Sequence, residues 1–121
     1  MFSPQSFRGI DVAASTMDLM QGTLDLLVLK ALTWGPRHGY AVARWVGETT
    51  DDDLQIEEGA LYTALHRMEA RGWIEAEWGL SENNRKAKFY QIRPAGRREL
   101  RAASARWTRY ATAVFKVLQT A

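Results

Sequence analysis

Arg85, Lys86 and Lys88 put three basic side chains within four residues, directly after Asn83 and Asn84. Cations clustered on an exposed polar turn suit a sugar-phosphate backbone or a minor groove. A second polar set, Thr63, His66 and Arg67, lies upstream on the flank away from Leu61, Leu65 and Met68. A guanidinium there suits phosphate, or the O6 and N7 acceptors of guanine. The ordinary alternatives are a soluble hairpin tip and i, i+4 surface ion pairs. Catalytic chemistry finds little support. There is no cysteine, no glycine-rich phosphate loop, and His38 and His66 lack the spacing of a metal pair. Asp51, Asp52 and Asp53 with Glu57 and Glu58 do not follow a calcium-loop spacing. No catalytic residue, metal or cofactor is expected, and the chain is not read as an enzyme.

These groups need a helix and a hairpin to hold them. Leu61, Leu65 and Met68, with Tyr62 beside them, recur at helical spacing. Arg71-Gly72 closes that helix, glycine tolerating the positive φ of the position after a helix end. The period then becomes two. Ile74, Ala76 and Trp78 face one way, and Trp73, Glu75 and Glu77 the other. Gly79 to Lys86 reads as a loop, and Lys88, Tyr90 and Ile92 as the returning strand.

Upstream, Leu24, Leu27, Val28, Ala31 and Leu32 form a core helix, started at Asp18 with Gln21 as reciprocal cap, or at Thr23. Trp34-Gly35-Pro36 ends it. A second helix from His38-Gly39 to Thr49-Thr50 carries Tyr40, Ala43 and Val46 inward. After an acidic turn, Leu54 and Ile56 suggest a short strand pairing with the hairpin. The fold is therefore mainly α with a small β-wing: a winged helix-turn-helix with a long C-terminal dimerisation helix. Residues 1–17 read as a flexible arm, 18–93 as the winged-helix domain and 94–121 as the dimerisation helix. Pro94 suits the first turn of that helix. Leu100, Ala103, Trp107, Tyr110, Val114 and Val117 then step by 3, 4, 3, 4 and 3 residues. Ala111, Phe115 and Leu118 widen that stripe. Pairing with a second copy covers it, giving a homodimer. Folding back onto residues 24–46 is the plainer alternative.

The net charge of +2 is unevenly placed. Residues 1–56 hold four basic and seven acidic side chains, 57–93 six of each, and 94–121 six basic and one acidic. No apolar run reaches the roughly 20 residues of a membrane span. The N-terminus lacks a secretory pattern, so a cytoplasmic location is expected.

Four segments carry a resemblance: GTLDLLVLKAL (22–32), GPRHGYAVA (35–43), EGALYTALHRMEARGWIEAEW (58–78) and RKAKFYQIRPAGRREL (85–100). Together they resemble the PadR family of bacterial transcriptional regulators over about residues 20–107. The resemblance implies a homodimer on a palindromic operator in double-stranded DNA, and usually repression relieved by a small molecule. Tyr62 looks like the family's phosphate-contacting tyrosine. Tyr62, Thr63, His66, Arg67, Asn84, Arg85, Lys86 and Lys88 are thus the expected DNA contacts. Trp107 and Tyr110 are the candidates for a flat aromatic or apolar effector. The chain departs from the family pattern at Ala60, where Ser or Thr is usual, at Thr63, often Pro, and at Arg93, usually Thr. The competing function is a winged-helix protein-interaction module that does not bind DNA, a reading favoured by the neutral charge over residues 57–93.

Overall fold

The computed structural model describes residues 13–121, with side chains from Gly22 onward. Four helices and one three-stranded antiparallel sheet make up the described residues: α1 (Ala13–Ala31), β1 (Arg37–His38), α2 (Gly39–Thr49), α3 (Glu58–Ala70), β2 (Ile74–Leu80), β3 (Lys86–Ile92) and α4 (Pro94–Leu118). The first twelve residues of the expected arm lie outside the described residues. Helix α1 already runs from Ala13, so Asp18 and Thr23 are interior helical positions rather than its start.

One apolar core joins the elements. Leu24, Val28 and Leu29 of α1 and Leu32 just after it meet Val42 of α2, Leu61, Ala64, Leu65 and Met68 of α3, and Ile74, Tyr90 and Ile92 of the sheet. The α3 stripe lies where its spacing puts it. On α2 the inward residues are Val42 and Val46, while Tyr40 is 66% exposed. Tyr40 was expected inward; Val42 and Val46 are four apart and claim the buried face, which turns position 40 outward.

The helix ends follow local chemistry. The Glu57 carboxylate accepts hydrogen bonds from the N–H groups of Gly59 and Ala60, each at 2.9 Å. That replaces a hydroxyl cap near residue 60 and holds the Glu57 carboxyl below its ordinary pKa. Gly72 takes φ +76°, the left-handed conformation expected after this helix. Pro94 occupies the first turn of α4, and Arg93 before it makes no side-chain cap. Its guanidinium instead donates to Glu75 at 2.7 Å.

The sheet order is β1-β3-β2. Arg37 faces Tyr90 and His38 faces Phe89, so the free edge of β3 is taken by the stretch before α2. The strand expected at Leu54 and Ile56 does not form. Thr50 Oγ1 accepts from Leu54 N–H at 3.1 Å, holding that stretch as a turn, and Ile56 packs against the core as a loop residue. The wing strands run further than expected, to Leu80 and from Lys86, so the tip is Ser81–Arg85. Asn84 sits there at φ +59°, a conformation its short polar side chain tolerates.

Helix α4 begins tight against the domain. A Cβ built on Gly96 would stand 2.2 Å from the Trp73 carbonyl oxygen. Leu100 packs against the core, and Ala103 is half-buried beside Gly22, Thr23 and Leu26 of α1. From Thr112 to the last residue every position is exposed. The expected seam is thus divided: its first two residues pack within the protomer, and the remainder is open.

Candidate nucleic-acid interface

The wing and α3 are held together before any ligand is considered. Lys88 Nζ lies 3.5 Å from Glu69 Oε1, tying β3 to α3. Arg44 Nη2 lies 3.6 Å from Glu82 Oε1, tying α2 to the wing tip. Both pairs are solvent-exposed, so each adds little stability but biases the orientation of the wing. Between these elements runs an open groove of about 610 Å³. Tyr62 lines it from α3, with its ring so close to Gly39 that an added Cβ there would lie 3.0 Å from the phenol oxygen. Arg85, Lys86 and Lys88 line it from the wing.

Four expected contacts therefore meet in one place: Tyr62, Arg85, Lys86 and Lys88. Thr63 and His66 lie on the exposed face of α3, three residues apart and outside that groove. Asn84 is exposed at the wing tip. Arg67 stands apart. Its Nη2 donates to Asp25 Oδ1 of α1, and its side chain is only 26% exposed.

The groove also holds residues that sequence reasoning did not assign to it: His38, Tyr40, Arg44 and Trp78. His38 caps α2, its Nδ1 accepting from Ala41 N–H at 3.2 Å. Arg44 lies over the Tyr40 ring at 5.8 Å, and Lys86 over the Trp78 ring at 5.1 Å. Tyr40 and Arg44 are four apart, a spacing that signals a shared helix face. Trp78 continues the Ile74 and Ala76 face of β2, but stands beyond the end of the core and is 61% exposed. Arginine and lysine over aromatic faces thus border a groove lined with further basic side chains, the chemistry that phosphate and sugar recognition requires.

Beneath the groove, Tyr90 is buried, and that burial pushes its phenol pKa up, the Glu69 charge and then Tyr62 adding to the effect. It is a packing residue with Lys88 above its ring at 5.9 Å. Among the described residues no group of acids and histidines is placed to hold a metal. No described helix is long and apolar enough to cross a membrane.

On the tail, Trp107 and Tyr110 stack with centroids 5.8 Å apart and planes at 26°. They border a shallow cleft against Thr23 and Leu26 of α1.

A winged helix-turn-helix with an aromatic, cationic groove between wing and third helix is the architecture of a transcriptional regulator. Residues 28–102 match the model of the transcriptional regulator PadR-like family, and the chain belongs to that family. Its members are regulators rather than enzymes. The chain is similar to a PadR family transcriptional regulator from Eggerthella lenta, with 31% identity, TM-score 0.73, and 91% of this chain and 94% of that one covered. It is also similar to a transcriptional regulator from Clostridium thermocellum, with 27% identity, TM-score 0.75, and coverage of 82% and 96%. An uncharacterised protein of Lysinibacillus sphaericus is 30% identical over 90 residues, 74% of this chain and 83% of that protein.

Proposed function

We propose that this regulator is a sequence-specific DNA-binding repressor that acts as a homodimer on a palindromic operator and is released by a small molecule. The observation that carries the reading is the convergence of Tyr62, Arg85, Lys86 and Lys88 on one groove beside the exposed face of α3. In this reading α3 enters the major groove with Thr63 and His66 toward the bases. The wing tip, with Asn84, reaches the adjacent backbone or minor groove. Tyr40 and Arg44 extend the phosphate contacts along α2. A cytoplasmic location goes with this role.

Dimerisation is supported by the open tail. Tyr110, Val114, Phe115, Val117 and Leu118 are all exposed large apolar groups on one helix. A contiguous patch of that kind marks an interaction surface. Pairing of the outer half of α4 with its counterpart covers Trp107, Tyr110, Val114 and Val117 and sets two α3 helices side by side. The stacked Trp107 and Tyr110, beside the α1 cleft, suit a flat aromatic or apolar effector.

Selection from random duplex DNA, followed by footprinting, tests the whole reading. The expected product is an inverted repeat with half-sites about 34 Å apart or a multiple of that distance. Sedimentation should give a dimer at micromolar concentration. A monomer at that concentration, or no enrichment of any duplex, would overturn it in favour of a protein-interaction module.

A further inference from the structure

Arg67 is the basic residue of α3 that the groove leaves out. Its partner Asp25 lies 42 residues away on α1, and the two side chains are 26% and 21% exposed. It is the most sheltered ion pair among the described residues. The others, Arg44–Glu82, Lys88–Glu69, Arg93–Glu75 and Arg106–Glu99, each have a partner at least 40% exposed. A sheltered, charge-assisted hydrogen bond is stronger and more directional than a surface pair.

The position of Asp25 on α1 gives the pair a second meaning. Thr23 and Leu26, on either side of it in sequence, line the tail cleft with Ala103, Trp107 and Tyr110. One short stretch of α1 therefore touches the tail on one side and the reading helix on the other. The Asp25–Arg67 pair is thus a polar link from that stretch of α1 to α3, beside the apolar packing the two helices share.

We propose that Asp25 and Arg67 form the joint that fixes the angle of α3 relative to the tail, so that Arg67 is a positioning residue and not a phosphate contact. As far as DNA affinity is concerned, the proposal rests on the DNA-binding reading above. The joint holds α3 at the angle that presents Thr63 and His66. Its loss leaves the cationic groove intact and costs sequence discrimination rather than general attraction to DNA.

The test uses the full chain with Asp25→Asn, Arg67→Ala, Arg67→Lys and the double variant Asp25→Asn with Arg67→Ala. Affinities for a selected duplex and for an unrelated duplex are measured by anisotropy across a salt series. Asp25→Asn should weaken specific binding about tenfold while nonspecific binding changes by less than about twofold. Arg67→Ala should match it with an unchanged salt slope, Arg67→Lys should recover part of the loss, and the double variant should be no worse than either single one. Two results overturn the proposal. One is a fall of about one in the salt slope for Arg67→Ala on both duplexes, which marks a lost phosphate contact. The other is tighter or equal binding by Asp25→Asn, the outcome that removal of a negative charge gives by electrostatics alone. Amide hydrogen exchange without DNA separates this from a failure of the DNA reading. Asp25→Asn should lose protection in α3 and keep it in α2, and equal protection in α3 sinks the joint whether or not any duplex binds.

Discussion

Removing the two cations at the base of the wing tip, Arg85→Ala with Lys86→Ala, is the perturbation whose size follows most directly from the structure. Both side chains are exposed and line the groove beside Tyr62. Neither lies in the core, so the fold should be kept, with surface changes of this kind costing within about 0.5 kcal/mol. Each phosphate contact contributes about 0.9 to the fall of log affinity with log salt concentration. Two residues per protomer, in a dimer, therefore account for up to about 3.6 of that slope. Over the range from about 50 to 200 mM salt this is about two powers of ten in affinity that the wild-type protein loses and the variant does not. The assay is an anisotropy titration of a duplex at four or more salt concentrations, with thermal unfolding as the control. Weaker binding at low salt with a flatter slope, for selected and unrelated duplexes alike, is the expected outcome. An unchanged slope would falsify the placement of phosphate against the wing, however much the affinity dropped.

Four further outcomes follow from single sites. Gly96→Ala places a methyl 2.2 Å from the Trp73 carbonyl oxygen, so α4 must shift off the sheet; a loss of about 1–3 kcal/mol in urea unfolding is expected, and wild-type stability would refute the close packing there. The raised phenol pKa of Tyr90 makes stability full below the ordinary tyrosine value of about 10 and lost as pH rises through the folded-state value, so Tyr90→Phe should flatten the alkaline limb of a stability profile. Glu57 has the opposite sign: its lowered pKa gives stability present above about pH 4.5 and lost as pH falls, and Glu57→Gln should shrink that acid-side loss. Quenching of tryptophan fluorescence by flat aromatic compounds should vanish in Trp107→Ala, and quenching that persists would move the effector away from the tail.

Much of the winged helix was legible because its elements have one clear period each. Leu61, Leu65 and Met68 leave no choice of buried face, and the switch to alternation after Gly72 marks where the wing begins. The inward face of helix α2 is hard to read from sequence because its apolar residues are nearly continuous. Tyr40, Ala41, Val42, Ala43, Trp45 and Val46 fit two faces equally well, and only the neighbours α1 and α3 decide between them. The strand at Arg37–His38 is two residues long, too short to have a period. The partner of Arg67 was out of reach for a different reason. A long-range ion pair is set by how two helices cross, and local spacing around Arg67 offers only its own helical neighbours.

The tail shows the limit of periodicity most plainly. From Leu100 to Val117 the stripe keeps one face of α4, and nothing along it marks a change of surroundings. Yet Leu100 and Ala103 are covered by the protomer's own core and α1, while from Thr112 onward all is exposed. The folding-back alternative therefore describes the first turns of the helix, and the proposed pairing concerns only the exposed remainder. Gly96 is what makes the division sharp. It lets α4 start against the Trp73 carbonyl, which commits the first turns to the domain and directs the remainder beyond it. A helix anchored in this way cannot fold its outer half back onto the described domain without leaving that contact, so Val114 and Val117 are the residues that the proposed pairing with a second copy would cover.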